Sequence, residues 1–126
     1  MKKLVWLMLA ILLLTACAPA ASAPVYENIT AAEAKELMDT QPGYIILDVR
    51  TAEEYAEGHI PGAILLPYDE INQKAAGVLT DRNQLILVYC RSGRRSKIAA
   101  EALVTLGYTN IREFGGIIDW PYEVEQ

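Results

Sequence analysis

One histidine, two cysteines, one phenylalanine and two tryptophans are spread over 126 residues. Each scarcity excludes something. A single histidine, His59, and two cysteines do not make the tetrahedral ligand sets that hold zinc, so no metal centre is expected. Two cysteines are also too few for a small disulfide-stapled scaffold. The longest apolar run, residues 4–14, falls well short of the ~20 residues that span a bilayer. Neither GxGxxG nor a P-loop occurs, which removes the usual sequence marks of dinucleotide and nucleotide phosphate sites. Basic residues are outnumbered, 11 against 16 acidic ones, for a net charge of −5. Such a balance speaks against binding to nucleic acid or to an anionic membrane surface. The length fits one domain, and no internal repeat is visible.

What is present begins with a leader. Lys2 and Lys3 precede the apolar run, in the manner of a signal peptide. The end of the run, Leu14-Thr15-Ala16-Cys17, resembles the lipobox of bacterial lipoproteins. That resemblance implies cleavage after residue 16, lipidation of Cys17, and an extracytoplasmic protein anchored to a cell-envelope membrane by its lipid; an ordinary secretory signal and an uncleaved anchor are the alternatives. Ala18-Pro19-Ala20-Ala21-Ser22-Ala23-Pro24 is small and uncharged and cannot bury enough surface to fold. Residues 1–16 are therefore expected to be a signal peptide, 17–25 a lipidated cysteine and flexible tether, and 26–126 the folded domain. Without its two leader lysines the chain keeps 9 basic residues against 16 acidic, a net −7. Four of those nine, Arg91, Arg94, Arg95 and Lys97, lie within seven positions. Positive charge on one short loop of an acidic domain favours a small anionic ligand. A cysteine on a flexible tether is a poor staple, and an acylated Cys17 leaves Cys90 as the only free thiol.

The pattern of the remaining chain predicts an α/β fold. Residues 26–29 read as a short edge strand. Thr30 with Glu33 forms a capping-box pattern before a helix over 31–38, stopped by Pro42-Gly43. Tyr44-Ile45-Ile46-Leu47 is a central strand ending at Asp48, and Thr51 with Glu54 starts a short helix that Gly58 closes. A second buried strand is expected over 63–66, a surface helix over 69–76, a third central strand over 85–89 and a helix over 96–106 capped by Gly107. A last strand over 110–114 and one helical turn over 117–120 complete the chain. Strands alternating with helices imply a mostly parallel central sheet with helices on both faces. Sites on such sheets form beyond the carboxyl ends of the strands, where Asp48 and Arg50 follow one strand and Cys90 another.

The stretch Tyr89-Cys90-Arg91-Ser92-Gly93-Arg94-Arg95-Ser96 carries the chemistry. A cysteine between a buried strand and a helix start faces inward-turned amides and the positive end of a helix, which favour the thiolate. Free cysteine is more often a small buried hydrophobe, but the Gly/Arg loop favours a nucleophile at Cys90. Gly93 is a conformational requirement. Arginine at a helix start is disfavoured unless an anion is expected there, which makes Arg95 an anion-binding candidate; Arg91 and Arg94 contact the anion or point to solvent. His59 lies in a turn and is expected to be structural. Asp48 and Arg50 are expected to brace the loops around the site.

Several separated stretches together resemble the rhodanese family. They are Asp48-Val49-Arg50, then Glu54 and Tyr55, then Gly58-His59-Ile60-Pro61-Gly62-Ala63, then the Cys90 loop, then Gly107-Tyr108, and finally Gly115-Gly116 with Trp120. The resemblance covers 26–126 as a single-domain member. It implies a sulfurtransferase without cofactor. Cys90 would take sulfur from a small anionic donor such as thiosulfate, and a thiol or cyanide acceptor would remove it. The backbone and side chains from Arg91 to Ser96, including Ser92 and Gly93, would bind the donor. Phosphatases and arsenate reductases of the same fold have a loop resembling Cys-x5-Arg, whereas Cys90 and Arg95 are spaced Cys-x4-Arg, a tighter cradle that suits sulfur. A non-catalytic module that senses sulfur species or binds an envelope protein partner is the other alternative, against which the presence of Cys90 argues.

Overall fold

The computed structural model describes residues 25–126. Five parallel strands form one sheet: β1 (Glu27–Asn28), β2 (Ile45–Asp48), β3 (Ile64–Leu65), β4 (Ile86–Cys90) and β5 (Ile111–Gly116), in the order β1-β5-β4-β2-β3. Four α-helices alternate with them: α1 (Ala31–Thr40), α2 (Ala52–Glu57), α3 (Ile71–Val78) and α4 (Arg94–Thr105). Single 3-10 turns occupy Tyr68–Glu70 and Ile117–Asp119. The α/β class, the parallel sheet and the coverage of both faces agree with the expectation from sequence.

The sheet divides the core. On one face, Leu47, Ile86, Val88 and Cys90 pack with Ala75 of α3 and Ala99, Ala100 and Leu103 of α4. On the other, Ile46, Leu87, Tyr89 and Phe114 pack with Ala34 of α1 and with Trp120, while Tyr55 of α2 closes the edge. The strands alternate between these layers because successive side chains point to opposite faces. β4 is buried along its whole length, which explains its unbroken apolar sequence. Both capping boxes form: Thr30 and Thr51 each accept the amide of the glutamate three residues on, and Glu33 and Glu54 reach back.

Three elements differ from their sequence patterns. The expected buried strand over 63–66 is a two-residue strand at the edge of the sheet with half-buried side chains. Past the strand, Leu66 N–H still donates to Asp48 O (2.9 Å) and Tyr68 N–H to Val49 O (3.0 Å), and Pro67 between them lies on the unpaired side of the edge, where it needs no ladder donor. The helix expected at the surface over 69–76 begins at Ile71, after the 3-10 turn, and it is anchored in the core by Ile71 and Ala75. Finally, α4 begins at Arg94, two positions earlier than expected. Gly93 adopts a left-handed conformation (φ 107°) at its N-cap, which returns the chain at once to helical geometry. Arg94 and Arg95 consequently belong to the first helical turn.

Strand order also positions the site. From β2 the chain moves outward to β3, whereas from β4 it moves the opposite way to β5. The carboxyl ends of β2 and β4 therefore diverge into a crevice, and Asp48 and Cys90 end those two strands.

Candidate active site

Cys90 closes β4 with its side chain on the α4 face, 1% exposed. Only three residues separate it from α4, so the loop folds tightly over the sulfur. Gly93 N–H donates to Sγ at 3.0 Å, and the Ser96 hydroxyl lies 3.3 Å from Sγ. Burial by itself pushes the thiol up. The inward-turned amides of Ser96, Gly93 and Ser92 oppose that penalty, and the Cys90 thiol is held below its ordinary value.

A cleft of about 540 Å³ opens beside this loop, lined by Ser92, Arg91, Arg94 and Arg95 on one side and by Arg50, Thr51, Pro67, Tyr68 and Asp69 on the other. Four guanidinium groups thus border one concavity. They are not equivalent. Arg50 is buried and pairs with Asp48 at 2.6 Å, and its Nη2 also donates to Gly58 O at 2.7 Å. Arg94 lies over the Tyr68 ring, 5.9 Å from its centroid.

Arg95, an anion-binding candidate from the sequence, lines the cleft, and its guanidinium makes a two-pronged ion pair with Glu54 of α2, at 2.7 and 2.9 Å. This pairing answers the helix-dipole objection to arginine at the start of α4, since a carboxylate supplies the compensating charge. The Arg95 hydrogen bonds, with those from Thr51, hold the Glu54 carboxyl down to about 2. Among the described residues, the cleft cations without an ion-pair partner are therefore Arg91 and Arg94.

Asp48 and Arg50 are bonded to each other, but only Arg50 lines the cleft. Asp48 is fully buried on the α1 face, opposite the Cys90 side chain, whereas Arg50 reaches the cleft. The Asp48 carboxylate accepts from Arg50 N, Nε and Nη2 and from the Tyr89 hydroxyl (2.6 Å). Tyr89 in turn accepts from Ile60 N–H at 3.1 Å. This network ties the ends of β2 and β4 to the turn before β3. His59 lies in the same support layer: it stacks on Tyr55 at 3.7 Å, and its Nδ1 is 2.8 Å from Tyr55 O.

Two partners had a sequence signal that went unread. Glu54 is visible as a capping-box residue, but its second role depends on where α4 begins. Glu113 follows Arg112 in the stretch Ile111-Arg112-Glu113-Phe114, on the side of the strand that Ile111 shares, and a carboxylate buried there needs internal partners. The structure supplies them. Glu113 is 0% exposed, and its Oε1 accepts from Ser96 Oγ (2.6 Å) and Gly115 N–H (2.8 Å) while Oε2 accepts from Asn28 Nδ2.

This arrangement has known counterparts. Residues 30–121 match the family model described as a rhodanese-like domain. A thiosulfate sulfurtransferase, PspE of Escherichia coli (strain K12), is 40% identical over 73 residues, covering 58% of this chain and 70% of that protein. A sulfurtransferase of Allochromatium vinosum is 38% identical over 87 residues, covering 68% of this chain and 78% of its own length. Among solved structures, a rhodanese with anions from E. coli superposes with a TM-score of 0.62 at 35% identity, covering 66% of this chain and 98% of that one. Fold and relatives agree, and the chain belongs to the rhodanese-like domain family.

Proposed function

We propose that this domain is a sulfurtransferase that carries sulfane sulfur as a persulfide on Cys90. The observation that carries the reading is the environment of Cys90 Sγ, held by the Gly93 amide and Ser96 beside a cleft bordered by arginines. A thiolate stabilised by fixed amides is an activated nucleophile. It attacks the outer sulfur of a thiosulfate-like donor; the new S–S bond forms as the donor's own S–S bond breaks, and sulfite leaves with the electron pair. The negative charge then resides on the outer sulfur of the persulfide. A thiol or cyanide acceptor attacks that sulfur and returns Cys90 as thiolate. Arg91 and Arg94 attract the anionic donor from the cleft, and the loop amides replace its lost water. The burial of Cys90 restricts the reaction to a small sulfur atom presented by the donor.

Incubation of the soluble domain with thiosulfate is expected to add the mass of one sulfur to Cys90, and Cys90→Ala is expected to abolish the adduct. No adduct with thiosulfate, polysulfide or mercaptopyruvate, together with turnover of an aryl phosphate, would replace this reading with a phosphatase. We further propose export and lipid anchoring through Cys17, which lies outside the described residues; support comes from the Leu14-Thr15-Ala16-Cys17 sequence. Cys17→Ser should move the full chain from the membrane to the soluble fraction. Unchanged fractionation counts against lipidation.

A further inference from the structure

Behind the nucleophile lies a buried carboxylate that the sulfur-transfer scheme does not use. Glu113 sits on β5 at the position paired with Val88; the next pair in the register, Cys90 with Gly116, lies two residues on in β4 and three on in β5. The extra residue is a bulge in β5, a device that re-aims side chains next to sites. Paired with Val88, which is on the α4 face, Glu113 shares that face with Cys90 and meets Ser96. Both of its oxygens face donors, the environment of an ionised carboxylate. Among the described residues, no Lys, Arg or His lies within ion-pair distance of it.

The Ser96 hydroxyl has one proton and three acceptors in range: Glu113 Oε1 at 2.6 Å, Gly93 O at 3.0 Å and Gly115 O at 3.4 Å. The charged and nearest acceptor takes it. Ser96 Oγ then presents lone pairs to Cys90, a suitable acceptor for a thiol S–H and a poor neighbour for a thiolate. The two contacts end to end, 3.3 and 2.6 Å, keep the carboxylate oxygen within about 6 Å of the sulfur. A like charge at that range reduces the thiolate fraction about tenfold or more.

We propose that Glu113 is a positioning residue for Cys90. By holding the Ser96 proton and fixing a negative charge behind the sulfur, it disfavours the bare thiolate and favours the sulfur-loaded form. In the persulfide the inner sulfur is neutral and the charge sits one atom farther from Glu113. The same carboxylate that restrains the free thiolate thus promotes retention of sulfur. The second half of this inference rests on the persulfide reading; the first half does not.

The other charged groups around the pair do not supply this effect. Arg91 and Arg94 face the cleft with Asp69, Arg95 is paired with Glu54, and Arg50 with Asp48. On the side of β1, Tyr26 lies near Glu113 and Glu101, and burial followed by these two carboxylates raises its hydroxyl.

The test uses the domain with Glu113→Gln, which keeps the shape and removes the charge, after its fold has been verified by circular dichroism. The pH profile of iodoacetamide alkylation at Cys90 should move to lower pH by about one unit, a tenfold gain in thiolate at a fixed pH below the midpoint. At a fixed ratio of thiosulfate to sulfite, the loaded fraction should fall about threefold or more. A merely structural role predicts no displacement of the alkylation profile, and an unchanged or raised midpoint overturns the proposal. Alkylation requires no sulfur donor, so a shifted midpoint without any persulfide would sink the sulfurtransferase reading and leave the placement of Glu113 standing. Should the variant not fold, the wild-type protein with 13C-labelled glutamate decides: the Glu113 carboxyl signal should show an inflection at the midpoint of Cys90. Its absence would overturn the proposal.

Discussion

At the scale of single residues, this site is a set of charges placed where water does not reach. Cys90 shows how the balance is struck, since burial opposes its ionisation and the loop amides reverse the outcome. Asp48 is fully buried as well and survives because Arg50 and Tyr89 satisfy it. Removing one partner of such a pair leaves a buried charge uncompensated, at about 3–5 kcal/mol. Asp48→Ala is therefore expected to lower the unfolding free energy by about that amount. Urea titration measures it, and a loss under ~1 kcal/mol would show that Arg50 finds water or another acceptor.

Among the elements, the contact between β5 and the Cys90 loop is the closest and the least tolerant. A Cβ on Gly116 would stand 2.0 Å from Arg91 O and 2.5 Å from Ser92 N. Neither backbone atom can yield without moving the loop that holds the sulfur. Gly116→Ala is thus expected to cost about 1–3 kcal/mol by overpacking. It should also raise the alkylation midpoint of Cys90, because the amides of Ser92 and Gly93 are displaced from Sγ. A stable variant with an unchanged midpoint would mean that β5, not the loop, gives way. The start of α4 belongs to this scale too. The apolar pattern puts its first residue at Ser96, yet Gly93 in the left-handed region starts the helix at Arg94. The pattern of apolar residues marks where a helix packs, and the cap marks where it begins; only the second depends on one backbone angle.

For the molecule as a whole, the Glu54–Arg95 pair joins α2 to α4 across the top of the sheet and gives the fold an acid-sensitive link. Its folded-state value of about 2 lies below the ordinary 4.5. The link accordingly contributes fully above pH 4.5, and its contribution is lost as pH falls toward 2. With allowance for partial exposure, the loss should be about 1–2 kcal/mol, and Glu54→Gln should flatten that part of the stability profile. Identical profiles for the two proteins would show that other carboxylates dominate the acid response. The α/β class, the central strands, both capping boxes and the place of Cys90 at a strand end were legible in the sequence, because each is local: an apolar run, a residue spacing, a cysteine between a strand and a glycine. The partners of Arg95, Asp48 and Ser96 were not. Glu54 lies 41 residues from Arg95, Tyr89 lies 41 from Asp48, and Glu113 lies 17 from Ser96. Sequence alone determined that Cys90 stands at a strand end before a basic helix start. Tertiary structure decided which charges surround it, because strand order and the bulge in β5 select which distant side chains meet.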